Sequence, residues 1–342
     1  MKAFYINAPG EGFFGEANEP EMGTDDVLLQ VERVGLCGSD LNTWRGMNPL
    51  VGYPRIPGHE VSGTLLSKGA NVPERLEIGM AVTLNPYKNC GRCPACQVGR
   101  INACRNNQTL GVQREGAMTS RISVPWERIV VSKTAHPDHL VLIEPMAVGF
   151  HAVRRGRVGA DETVLVFGCG AIGLGVIAGA ARLGARVIAV DINGAKLTLA
   201  KAAGAAIGVS PDEVKDTVQS LTHGDGVDVA IEAVGLPETF LGCVDIAAPC
   251  GRVVYIGYSN TPVTYDTKLI LTKELDVMGS RGALQEDFQE AAAHLESGSY
   301  PANDIISRVM PFRQTGDALA YWASDTGAVT KIVVDVQTGE NK

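Results

Sequence analysis

The 342-residue chain is short of aromatic residues (6%), light in charge (20%), and has only eight cysteines. It also lacks a basic excess: thirty Lys plus Arg against thirty-eight Asp plus Glu leave a net charge of −8. With no positive surplus to neutralise phosphates, general binding to nucleic acid or to acidic membranes is disfavoured. No apolar run approaches the roughly 18 residues of a membrane span. The opening MKAFYINAPG meets Asn7, Pro9 and Gly10 too soon for a signal-peptide core. Cysteines this sparse cannot form a disulfide scaffold. At 45% apolar content the chain is not disordered either. These absences predict a soluble, cytoplasmic protein that binds neither nucleic acid nor membrane.

Forty glycines far exceed the ordinary share of about 7%, which implies many tight turns and close backbone approaches. The length suits about two domains, and two textures divide the sequence. Up to about Pro145 it reads as short β segments broken by Gly and Pro. Among these, Val27–Val34 alternates with Val27, Leu29, Val31 and Arg33 on one side; Glu60–Leu66 and Met80–Leu84 also read as strands. From about Thr163 strands and helices alternate: strands at 163–167, 186–190, 206–209, 227–231, 252–256 and 275–278, with helices at 171–183, 193–203, 212–221 and 237–247 between them. This alternation predicts an α/β fold with a doubly wound parallel sheet. A helix-like 287–295 is expected to lie outside that unit.

Gly168-Cys169-Gly170-Ala171-Ile172-Gly173 is a GxGxxG that follows a predicted strand and opens a predicted helix, the context that makes the motif informative. Gly168 allows the turn, Gly170 admits a pyrophosphate to the backbone, and Gly173 lets helix and strand pack. The helix N-terminus offers unpaired N–H groups to phosphate. Asp191 closes the second strand eighteen residues after Gly173. A carboxylate there accepts from both ribose hydroxyls and repels a 2′-phosphate, so NAD is expected over NADP.

Cys90, Cys93, Cys96 and Cys104 fall within fifteen residues. Four thiolates at this spacing suit a tetrahedral zinc with no open position, hence a structural one, ahead of disulfides or an iron–sulfur cluster. Cys169, Cys243 and Cys250 are expected as small apolar residues in packed positions. Cys37-Gly38-Ser39-Asp40, Gly58-His59-Glu60 and Glu144-Pro145 carry the remaining polar candidates. Each alone has a dull explanation; together, thiolate, imidazole and carboxylate form a zinc set with room for substrate.

In these motifs and in their order the chain resembles the zinc-dependent medium-chain dehydrogenase/reductase superfamily, closest to its polyol, sugar-acid and threonine dehydrogenase branch. The resemblance implies a GroES-like catalytic domain (1–146, completed by 287–342), a Rossmann NAD-binding domain (147–286), and a substrate cleft between them. It implies one catalytic and one structural zinc per chain. Cys37 and His59 would bind the catalytic ion, with Glu60 and Glu144 sharing the remaining positions with water. Zinc with one thiolate and one carboxylate is neutral, whereas a second carboxylate makes that set negative, so only one of the two is expected to bind directly during chemistry. A substrate hydroxyl would ionise on zinc, Ser39 would relay its proton, and hydride would pass to NAD. Some relatives carry His where this chain has Asn42, so water or a ribose hydroxyl is expected to take the proton onward.

Asn42 and Arg281 are the substrate candidates. Arg281 can anchor a carboxylate or several hydroxyls, or form a surface or interdomain salt bridge. A polyol or sugar acid is the expected substrate, with L-threonine or a short diol as the alternative, and a homodimer or homotetramer the expected assembly. A zinc-stabilised binding module without catalysis is the remote alternative, and it would carry one zinc rather than two.

Overall fold

The computed structural model describes residues 1–133 and 136–338. Two compact units emerge. The first comprises Met1–Glu144, Leu284–Gly298 and the chain from Ala302; the second comprises Pro145–Ala283 with Ser299–Pro301. The last four residues of the expected returning segment, 339–342, lie outside the described residues.

The first unit is built on a sheet whose central strand is Asp26–Leu36. Glu60–Lys68 pairs along one edge of it, while Arg121–Pro125 and Lys331–Asp335 share the other. Val27, Leu29 and Val31 are fully buried, as alternation requires. A register shift between Val31 and Arg33 then moves the buried phase to Val34 and Leu36. Arg33 therefore does not continue the apolar side, as the sequence reading had it. It reaches Asp138 at 2.6 Å and Asp335 at 2.7 Å.

The second unit holds six parallel strands in the spatial order Ile207–Val209, Arg186–Val190, Thr163–Phe167, Val227–Glu232, Ala247–Tyr255 and Asp276–Gly279. Thr163–Phe167 is buried throughout, in keeping with its unbroken apolar run. Helix Ala171–Ala181 is apolar all round, with Gly173 to Ala180 buried, because a second helix covers its far side. There a Cβ on Gly149 would lie 2.4 Å from the Val176 nitrogen, so the close helix approach demands glycine.

Cys169 and Cys243 are fully buried, but Cys250 is exposed with φ +60°. The expectation of a packed Cys250 fails because the strand begins earlier, at Ala247. The strand bulges between Ala247 and Arg252, and Cys250 sits on this bulge, its N–H donating to the Lys273 carbonyl at 2.6 Å. No helix among the described residues is long and apolar enough to cross a membrane.

Candidate metal and dinucleotide sites

The strand Asp26–Leu36 delivers Cys37 to the N-cap of helix Gly38–Trp44. Asp40, in the first turn and 1% exposed, accepts from the Cys37 N–H at 2.9 Å and, through its other oxygen, from the Gly58 N–H at 3.2 Å. One carboxylate thus ties the loop bearing Cys37 to the loop bearing His59 and Glu60. Gly58 turns at φ +99°, where a Cβ would lie 2.7 Å from Val34. The ligand atoms of Cys37, His59 and Glu60 come within 4.8 Å of one another, and His59 and Glu60 are buried.

Glu144 stands beside this trio rather than within it. Its Oε1 accepts a 2.6 Å hydrogen bond from the Tyr87 hydroxyl. Burial pushes the Tyr87 pKa well above the usual phenol range, and the Glu144 charge adds to this, so Tyr87 remains a donor. Burial also raises the Glu144 pKa, against the opposing pull of His59. Burial alone would lower the His59 pKa, but Cys37, Asp40 and Glu144 outweigh it and hold it well above its ordinary value. Such a pocket attracts positive charge.

Sequence reasoning missed Lys331. This residue is 2% exposed, and its Nζ donates to both oxygens of Glu60 at 2.6 Å each and to the Leu36 carbonyl at 3.1 Å. Burial would lower its pKa, but Glu60 and Cys37 raise it, so it is an ammonium. The only hint in the sequence was a lysine opening the apolar run Ile332–Val334. Its presence amends the charge argument made from sequence: the buried ammonium offsets one carboxylate, so Glu60 and Glu144 together add one net negative charge to the site rather than two. The fit to a metal has a second support, for His59 Nδ1 is buried without a hydrogen-bond partner. Ser39 Oγ is buried and unpartnered as well. Asn48 fixes the turn behind it, its amide donating to the Ser39 carbonyl at 3.3 Å and to Thr43 Oγ1 at 3.1 Å. Asn42 lies half-buried on the same short helix.

Cys90, Cys93, Cys96 and Cys104 form a second cluster. Cys93 Sγ lies 3.5 Å from Cys96 Sγ and 3.8 Å from Cys104 Sγ. A zinc–sulfur tetrahedron with bonds of about 2.3 Å has edges of about 3.8 Å, so the donor set fits that ion. Backbone N–H groups of Arg92 and Cys93 bring the Cys90 pKa down to about 6. Those of Arg105 and Cys96 lower that of Cys93, whereas burial pushes Cys104 up to about 11. Thiols in mutual contact cannot all ionise unless a cation sits among them.

In the second unit Gly168 turns at φ +92°, and a Cβ on it would lie 2.7 Å from Val234. A Cβ on Gly173 would lie 1.8 Å from the Gly168 carbonyl oxygen, while Gly170 faces open space. Ala171 and Ile172 open the helix after its N-cap Gly170, where first-turn N–H groups have no intrahelical acceptor. That open, N–H-lined cradle fits a pyrophosphate. Asp191 accepts from the Cys169 N–H at 2.8 Å and the Asn193 N–H at 2.9 Å, one on each oxygen. A carboxylate has about four acceptor positions, so capacity remains for ribose hydroxyls. Its neighbour Ile192 is 90% exposed. Arg281 is exposed, beyond the strand Asp276–Gly279.

Family models match both parts of the chain. The alcohol dehydrogenase GroES-like domain matches residues 23–135 and the zinc-binding dehydrogenase model residues 171–297. L-galactonate-5-dehydrogenase of Escherichia coli strain K12 is 31% identical, over 91% of this chain and 92% of that protein. Among solved structures, a putative zinc-binding dehydrogenase from Sinorhizobium meliloti 1021 bound to NADP superposes with a TM-score of 0.89 at 31% identity, covering 98% of this chain and 99% of that one. An alcohol dehydrogenase from Escherichia coli CFT073 complexed with NADH reaches the same TM-score of 0.89 at 27% identity, with 98% and 99% covered.

Proposed function

This chain belongs to the zinc-dependent medium-chain dehydrogenase family, and we propose that it oxidises a secondary hydroxyl of a polyol or sugar acid to a ketone with NAD. The observation that carries this reading is the meeting of Cys37, His59 and Glu60 from separate loops, with the unpartnered Ser39 hydroxyl beside Cys37. Bound zinc would supply Lewis acidity toward a substrate hydroxyl, and bound NAD a hydride acceptor.

The residues around the site divide the remaining work. Asp40 keeps the two ligand loops in register through its pair of backbone hydrogen bonds. Lys331 holds both oxygens of Glu60 and leaves them less charge to offer a metal, while Tyr87 engages one oxygen of Glu144 and leaves the other available. The two carboxylates thus differ in how firmly each is held back, in keeping with only one being bound directly during turnover. Ser39 Oγ is suited to take the proton from a substrate hydroxyl and pass its own to water or a ribose hydroxyl, Asn42 offering no imidazole.

Preference for NAD rests on Asp191, whose negative charge opposes a 2′-phosphate, and on the absence of Arg in Ile192-Asn193-Gly194. Two zinc ions per chain are expected, one in each donor cluster. Arg281 is proposed to anchor the substrate. The sheet edge Asp276–Gly279, paired on one side only and flanked by Leu271 at 78% exposure, is proposed as the contact of a homo-oligomer.

The test is an NADH-formation screen across hexitols, pentitols, aldonates, inositols and threonine, run beside metal analysis of the purified protein. Turnover of a polyol or aldonate with two zinc ions per chain supports the reading. Turnover of threonine alone moves it to the amino-acid branch, and a single zinc without turnover removes catalysis.

A further inference from the structure

Glu232 ends the strand Val227–Glu232 and is fully buried, although no step of the proposed reaction uses it. Its Oε1 accepts three hydrogen bonds of 2.7 Å, from the Val234 N–H, the Gly235 N–H and the Thr239 hydroxyl. Its Oε2 is buried with no partner. That second oxygen faces Gly257, where an added Cβ would lie 2.4 Å from it. The Ile256 N–H, just before Gly257, donates to the Glu232 backbone carbonyl at 3.0 Å. The side chain thereby fixes the loop 233–235 and the start of helix Pro237–Ile246, while its backbone carbonyl holds, and its second oxygen abuts, the turn that follows Ala247–Tyr255.

These segments share the end of the sheet that holds the glycine turn, and one of them touches it. Val234, 45% exposed, packs where a Cβ on Gly168 would be. The strand Arg186–Val190, which leads into Asp191, lies on one side of Thr163–Phe167, and the strand ending at Glu232 lies on the other. A dinucleotide crossing the sheet at this switch point puts its adenosine half toward Asp191. Its other half then falls over the loops that Glu232 holds. A simple cap needs one oxygen, whereas here the second is buried, unpaired and pressed against the following turn.

We infer that Glu232 is a positioning residue for the nicotinamide half of the cofactor, acting through the loop 233–235 and the turn at Gly257. The inference rests on the dinucleotide reading of Gly168–Gly173. It is tested by fluorescence titration of the whole protein with NADH and by competition with ADP-ribose, which lacks the nicotinamide. Glu232→Ala should weaken NADH binding by about ten-fold or more, because the loop 233–235, released from its three hydrogen bonds, must then be ordered at the expense of binding. ADP-ribose affinity should change by less than about two-fold, a difference of only a few tenths of a kcal/mol. Glu232→Gln, which keeps an acceptor at Oε1, should recover part of the loss. Unchanged NADH affinity, or equal loss of both ligands, overturns the inference. If Glu232→Ala does not fold, Thr239→Val and Gly257→Ala carry the same comparison, because each disturbs one contact of the same carboxylate. A wild-type protein that binds ADP-ribose and NADH equally well also overturns it. One that binds neither overturns the dinucleotide reading itself.

Discussion

Removing the positive charge of Lys331 should reveal how the Cys37–His59–Glu60 cluster tolerates so many buried anions. In Lys331→Met the aliphatic volume is roughly kept, while two 2.6 Å contacts to Glu60 and one to the Leu36 carbonyl are lost. Both partners are almost wholly buried, so the variant leaves a carboxylate without its cation in a dry site. Breaking such a pair from one side costs about 3–5 kcal/mol. Glu60→Gln should cost a similar amount, because it strands the ammonium instead. The double variant should be milder than the sum of the two by about 1–3 kcal/mol, since neither charge is then left alone. Urea unfolding followed by tryptophan fluorescence reads this directly: Trp44, Trp126 and Trp322 all belong to the first unit. Added zinc should reduce the loss in Lys331→Met, the cation supplying the missing positive charge beside Glu60, and should not do so in Glu60→Gln. The pKa of Lys331 is raised, so its stabilisation is complete below the ordinary lysine value of about 10.4 and is lost as pH climbs through the folded value. Additivity of the two substitutions within about 0.5 kcal/mol would refute the reasoning.

Three further outcomes are expected. Ser39→Ala should retain zinc and NADH binding but lose about 10²–10⁴-fold in kcat, the usual worth of a positioned proton-transfer group; near-normal kcat would remove Ser39 from the mechanism. After zinc is stripped by a chelator, iodoacetamide at pH 7 should label Cys90 before Cys104, a pKa of about 6 making the first mostly thiolate and one of about 11 keeping the second protonated; mass spectrometry of the peptides gives the order, and zinc should protect both. Asp191→Ala should lower the NAD over NADP preference in kcat/KM by about ten-fold or more, one hydrogen-bonded carboxylate being worth at least that. An unchanged ratio would place cofactor choice elsewhere.

Much of this protein is local in origin and so could be read along the chain. The strand Thr163–Phe167, the glycine turn and Asp191 are neighbours in sequence, and their chemistry depends on backbone shape over a few residues. The four cysteines are likewise close enough that spacing alone implies one cation. Alternation in Asp26–Leu36 could be followed as far as Val31, but the register shift beyond it is set by the partner strand, which no local pattern encodes. Cys250 was misjudged for a similar reason: its exposure comes from a bulge pinned by Lys273, twenty-three residues away.

The sequence by itself determined which atoms could bind a metal and a dinucleotide, because sulfur, imidazole, carboxylate and glycine act through their own chemistry. Only the tertiary structure decided the charge around the metal donors. Lys331 meets Glu60 across 271 positions, and Tyr87 meets Glu144 across 57. Electrostatic energy falls with distance in space and takes no notice of distance along the chain. A cation brought in by a remote strand therefore changes the balance of a site whose donors were all visible without it.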